Sequence, residues 1–208
     1  IVSYEAFKDK NYKKQIRASK IEAAIDHLQR EVTLYLVAVN ERTSADDIIQ
    51  KIPALLHTVN DIEKIGDYTE EVNRILNYQI SIQKHQLSPE FCSMIDDLHA
   101  KVMFMLDLCV DYLEDMKDDF SYKIIEMEGR INEQHHNLRA KILGEIQNGV
   151  CDPAGGLNTI DYLDQVEVIA DKLKNLVKAG SHKFVYKQRS DFPMDEDDDS
   201  PDLSILER

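Results

Sequence analysis

At 208 residues, 43% hydrophobic and 31% charged, the chain is long enough for one sizeable core or two small ones, and no run approaches the roughly 20 apolar residues of a bilayer-crossing helix. A formal net charge of -14 excludes nucleic acid and anionic lipid as main partners, since both require clustered Lys and Arg to neutralise phosphate; cations suit this chain better. Seven Gly and five Pro favour long helices over a loop-rich chain, and Cys92, Cys109 and Cys151 match no zinc-site spacing, so they read as reduced thiols of a soluble cytosolic protein.

Apolar positions Ile21, Ile25, Leu28, Val32, Leu36 and Val39 recur at steps of three and four, which predicts a helix over about 13–40 with that stripe facing the core. Thr43 or Ser44 is the expected N-cap of a second helix, whose inward positions are Ile49, Ile52, Leu55, Val59, Ile62, Gly66, Thr69, Val72 and Leu76; Pro53 marks a kink or restart near its beginning. Ser88-Pro89 starts a third helix, with Phe91, Ile95, Leu98, Val102, Met105, Cys109, Tyr112 and Met116 inside. The turn-like "MKDDFSY" precedes a fourth helix carrying Ile124, Met127, Ile131, His135, Leu138 and Ile142. After the breaker cluster "NGVCDPAGG", a fifth helix buries Ile160, Leu163, Val166, Ile169, Ala170, Leu173 and Val177 and ends at Gly180. Residues 191–208, with eight acids and one base, read as a disordered, solvating tail. Five long helices and no convincing strand predict an all-α bundle.

The chain repeats itself. "VNDIEKIGDYTEEV" lines up with "LDQVEVIADKLKNL", setting Glu63 on Glu167 and Asp67 on Asp171. "KIEAAIDHL" lines up with "EMEGRINEQ", setting Glu22 on Glu128 and Asp26 on Asn132. Each of the four E-x-x-x-D/N units puts two oxygen-bearing side chains on one helix face, on the shoulder of the apolar stripe. Gly66 in one half and Ala170 in the other suggest close backbone approach at the level of the carboxylates. Neither facing set brings an obvious Arg or Lys at equivalent spacing, so converging carboxylates would repel until a cation neutralised them. Such oxygen-rich sets suit Mg, Ca, Mn and Fe, and accept Zn. His27, beside Asp26, and His136, four residues after Asn132, are further candidates.

"DIEKIGDYTEEV" resembles the "DLERIGDHA" signature of PhoU-type phosphate-signalling proteins, and "SKIEAAIDHLQREVTLYL" resembles the "LEKEIDRLEREI" helix that precedes it. The resemblance spans about residues 5–180 and is stronger in the first half. It implies a PhoU-like antiparallel bundle of two duplicated repeats, here residues 1–82 and 88–180, followed by the acidic tail at 181–208. It also implies multinuclear metal clusters of divalent or trivalent Fe, Zn, Mg or Mn, and a non-catalytic role in regulating phosphate uptake. By position, Glu22, Asp26, Glu63 and Asp67 would line one site; Glu128, Asn132, Glu167 and Asp171 would line the other, where Asn132 replaces an expected aspartate.

"FKDKNYKK" at 7–14 resembles the hinge "MKDDFSYKI" between the halves, so the first repeat is expected to lack its leading helix. Bacterial sodium/phosphate cotransporters carry a PhoU-like domain after their membrane helices. The expectation is therefore a metal-binding regulatory domain at the cytoplasmic face of the cell membrane, its partner being the transporter portion of the same polypeptide, with a homo-oligomer compatible and no nucleic acid. A free-standing PhoU and a metal-free helical interaction module are the alternatives. A ferritin-type di-iron enzyme needs two E-x-x-H units, and "EQHH" at Glu133–His136 supplies one. No Ser/His/Asp set, phosphate-cradling loop or activated cysteine is visible, so no catalysis is expected.

Overall fold

A computed structural model of the chain describes residues 12–82, 89–115 and 118–181. Within them run six helices: α1 (Tyr12–Arg42), the single turn α2 (Asp46–Ile49), α3 (Ile52–Ile82), α4 (Pro89–Asp115), α5 (Asp118–Gln147) and α6 (Pro153–Ser181). No strand occurs among the described residues. Five long helices form the expected all-α bundle.

Boundaries follow local chemistry. Pro53 lies in the first turn of α3, where its missing N–H removes no helical hydrogen bond, and the expected second helix therefore divides into α2 and α3. Neither Thr43 nor Ser44 caps α2. Its N-cap is Ala45, which has no side chain to cap with and whose N–H donates to Thr43 Oγ1 at 3.3 Å. The break before α6 is shorter than the breaker cluster suggests, because Gly155 and Gly156 are already helical. Asp152 caps that helix, its Oδ2 accepting the Gly155 N–H at 3.0 Å, and Gly149 takes a positive φ of 68° that an L side chain disfavours. In "MKDDFSY", residues from Asp118 onward belong to α5. Ser88, Met116, the side chain of Phe91, most of "FKDKNYKK" and the acidic tail lie outside the described residues.

Consecutive long helices pair as antiparallel hairpins: α1 with α3, and α5 with α6. Opposed contacts run in opposite senses along each pair, as Gln29 meets Asn60 while Ile25 meets Gly66, and Arg139 meets Asp164 while Glu128 meets Lys174. The broadest helix contact joins the hairpins through α3 and α6. There Asp61 pairs with Lys172 at 3.2 Å, and Asn158 Nδ2 donates to the Ile75 carbonyl at 3.4 Å. Helix α4 covers the second hairpin by packing on both α5 and α6. Its inward stripe Leu98, Val102, Met105, Cys109 and Tyr112 is buried with Ile124, Ile131, Leu138 and Ile142 of α5 and Leu163, Val166, Leu173 and Val177 of α6.

The stripe on α1 is a correction. Leu36 is buried, but Ile21, Leu28 and Val32 are exposed by 42%, 60% and 38%, because α1 packs substantially on α3 alone among the described residues. At the matching offset of 106, Leu28 and Val32 correspond to Gln134 and Leu138 of α5. Gln134 hydrogen-bonds Met94 and Asp97 of α4, and Leu138 is fully buried. Ile49 and Ile62 of the second predicted stripe are likewise exposed.

Candidate metal centre

Helices α1 and α3 bring Glu22, Asp26 and Asp67 together. One carboxylate oxygen from each lies within 4.8 Å of the other two, all three being half-buried. The i, i+4 spacing places Glu22 and Asp26 on one face of α1, and the antiparallel crossing at Ile25 and Gly66 delivers Asp67 opposite them. Burial pushes the Glu22 carboxyl above its usual range, reinforced by the charges of Asp26, Glu70 and Asp67. A groove of about 430 Å³ lined by Ser19, Asp67, Glu70, Glu71, Asn73 and Arg74 opens beside the trio.

The donor set fits a hard cation. With metal–oxygen bonds of about 2.0–2.6 Å, two ligands of one ion stand up to about 5 Å apart, and water completes the coordination. The fourth expected residue, Glu63, is not among the three that converge; it lies 3.7 Å from Lys64 Nζ, which also reaches Asp67 at 3.3 Å. The close-approach reading of Gly66 also changes: a Cβ there would meet only the Ile25 side chain, at 3.5 Å, which is ordinary contact.

The second cluster is built differently. Lys174 Nζ sits 2.7 Å from Glu128 Oε1 and 2.9 Å from Asp171 Oδ1, bridging α5 to α6. Sequence reasoning missed this counter-charge; the signal was available, since Lys174 aligns with Glu70. Asn132 Nδ2 donates to the same Glu128 oxygen at 2.8 Å, while Asn132 Oδ1 is buried without a partner. Burial pushes the Glu167 carboxyl up, opposed by His135 and reinforced by Asp171 and Glu128. Burial works against the Lys174 ammonium as well, but its hydrogen bonds to Glu128 and Asp171 prevail and hold it above the ordinary lysine value. Among the described residues, no three acidic, histidine or cysteine side chains of this half converge as the first trio does.

One turn away, buried His135 Nε2 lies 2.7 Å from Asp164 Oδ1, which also accepts from Arg139 Nη1 at 2.6 Å. Burial alone would raise the Asp164 carboxyl; Arg139 and His135 outweigh it and hold it below the usual range. His27 and His136 are both exposed and belong to neither convergence. Cys109 is buried against the Leu173 carbonyl, which pushes its thiol up to about 12, and burial also raises half-buried Cys151, so neither is an activated nucleophile.

Paired helical hairpins with acidic i, i+4 units at corresponding levels define an all-α bundle with a carboxylate cluster in each hairpin. The chain belongs to the PhoU domain family, which its sequence matches over residues 2–76 and 95–179. Its structure is similar to PhoU from Pseudomonas aeruginosa, with a TM-score of 0.76 at 18% identity over 86% of this chain and 85% of that one. It is also similar to the phosphate transport system regulatory protein PhoU from Streptococcus pneumoniae, with a TM-score of 0.73 at 14% identity over 90% and 88% of the two chains. At these identities the likeness establishes the fold. No curated protein matches the sequence.

Proposed function

We propose that this chain is a non-catalytic PhoU-type regulator of phosphate transport whose first acidic cluster binds an oxygen-seeking divalent cation. The observation that carries the metal reading is the convergence of Glu22, Asp26 and Asp67 across α1 and α3. Family membership and the likeness to the phosphate transport system regulatory protein of Streptococcus pneumoniae support the phosphate assignment. The cation supplies positive charge where three carboxylates meet. The chain's own part is to hold them within reach: α1 fixes Glu22 and Asp26 by helical spacing, and packing of Ile25 beside Gly66 sets the level of Asp67. Binding then clamps α1 to α3, so cation concentration is linked to the stability of this hairpin.

A free-standing regulator is the form we favour, supported by similarity that extends over 85% and 88% of the two PhoU chains. Attachment to a membrane transporter is the second reading. What favours it is that among the described residues nothing covers the apolar face of α1, as α4 covers its counterpart on α5, leaving room for a further helix there; no helix among the described residues is itself long and apolar enough to cross a membrane. The test has two arms. Metal analysis of purified protein should show bound cation that Asp26→Asn and Asp67→Asn remove; absence of metal after exposure to Mn(II), Zn(II) and Fe(II) contradicts the site. In host cells lacking this gene, phosphate uptake should lose its response to external phosphate and regain it with the wild-type copy; unchanged uptake contradicts the regulatory role.

A further inference from the structure

We propose that the Lys174 ammonium is a built-in counter-ion occupying the cation's place in the second cluster, so that the chain binds metal in its first half only. The contrast between the halves rests on the reading of the first cluster given above; the role of Lys174 stands on its own geometry.

Corresponding positions occupy corresponding places in space. Gln29 donates to Asn60 at 3.0 Å in the first hairpin, and their counterparts at offsets of 106 and 104, His135 and Asp164, meet at 2.7 Å in the second. On that correspondence Glu22, Asp26, Glu63, Asp67 and Glu70 stand opposite Glu128, Asn132, Glu167, Asp171 and Lys174. Five acids on one side face three acids, an amide and a lysine on the other. Two changes matter. Asn132 removes one negative charge, and Lys174 supplies a positive one where the first half has another acid.

The Lys174 ammonium does what a bridging cation would do. It joins a carboxylate of α5 to a carboxylate of α6, at 2.7 and 2.9 Å, and lies three residues after Asp171, so the helix itself directs it back over the cluster. Only 18% of its side chain is exposed, and 9% of that of Glu128. An incoming metal ion would have to expel a half-buried, doubly bonded ammonium from the oxygens it needs. Among the described residues no lysine is seen bridging the first trio as Lys174 bridges the second cluster: Lys64 reaches Asp67 from the outside, with 48% of its side chain exposed.

The same geometry says what removing Lys174 should do. Glu128 Oε1 would keep only its hydrogen bond from Asn132 Nδ2, and Asp171 Oδ1 would lose its ammonium partner, next to the unpartnered Asn132 Oδ1 and the Glu167 carboxylate, which already feels the charges of Glu128 and Asp171. Those are oxygen donors of the kind a hard cation takes. Lys174 is thus a specificity-determining residue for metal occupancy, and the second cluster is a latent site.

The experiment is equilibrium dialysis of the full chain against Mn(II), with bound metal measured by mass spectrometry and helix content by circular dichroism. Wild type is compared with Asp67→Asn, Glu167→Gln, Asp171→Asn, Lys174→Met and the double variant Lys174→Met/Asp171→Asn. The expected result is that Glu167→Gln and Asp171→Asn leave wild-type uptake unchanged. Lys174→Met should roughly double bound Mn(II), because a second carboxylate cluster is opened, and Asp171→Asn added to it should abolish the gain. Loss of uptake in Glu167→Gln or Asp171→Asn overturns the proposal, as does a folded Lys174→Met chain with no gain. Should Lys174→Met not fold, the two wild-type-background variants still decide. Uptake insensitive to Asp67→Asn would sink the first-cluster reading alone, since the gain on removing Lys174 is scored separately.

Discussion

The two hairpins share a backbone plan and differ in how they deal with charge. In the first, Glu22, Asp26 and Asp67 converge with Glu70 close by, and among the described residues no buried base is seen paired with them. In the second, Lys174 holds Glu128 and Asp171, and Arg139 with His135 holds Asp164. Coverage differs in the same sense: α4 seals α5, whereas among the described residues no helix covers the matching face of α1. The lesson is that duplication preserves positions more faithfully than it preserves electrostatics. One half pairs its charges from within the chain; in the function proposed, the other pairs them with a cation from solution.

The comparison breaks most sharply at Lys174. Lys174→Met should destabilise the metal-free chain by about 3 kcal/mol in urea unfolding, because Glu128 keeps a mostly buried charge with its partner gone. Folding raises the Lys174 pKa, so its contribution is fully present below the ordinary lysine value and is lost as pH rises through the folded one. A measurement at neutral pH therefore records all of it. A loss no larger than that of an exposed lysine substitution would mean the bridge contributes little.

Next in size is the response to cation. Mn(II) at about a hundred times its dissociation constant should raise stability by about 2.7 kcal/mol, seen as an upward shift of the thermal midpoint. Asp67→Asn should remove that shift while Asp171→Asn leaves it intact. Equal sensitivity of the two variants would erase the distinction between the halves.

The smallest effect concerns the residues ahead of the two aspartates. Gly66→Ala should stabilise by about 1 kcal/mol through helix propensity, since the added methyl meets Ile25 at an ordinary 3.5 Å. Ala170→Gly, at a fully buried position, should cost at least about as much. Destabilisation by Gly66→Ala in thermal unfolding would restore the idea that the glycine is there for close approach.

Much of this was legible in the sequence. The stripes of α4, α5 and α6 mark buried faces because each is packed by at least two neighbours, and the E-x-x-x-D repeat located the first trio because i, i+4 spacing fixes a shared face. The α1 stripe misled for a physical reason: periodicity shows that a helix has an apolar face, and says nothing of what covers it. Glu63 belongs to the repeat but not to the trio, since spacing sets the face of a helix and not which carboxylate reaches across to the partner. Lys174 was visible opposite Glu70 in the aligned stretches, yet only coordinates show its ammonium folded back onto Glu128 of another helix.

The most direct test of the asymmetry is anomalous diffraction from crystals of the full chain soaked or grown with Mn(II). The account predicts an anomalous peak among Glu22, Asp26 and Asp67 and none among Glu128, Asp171 and Lys174. A peak in the second cluster with Lys174 displaced, or none in the first at saturating Mn(II), would contradict it.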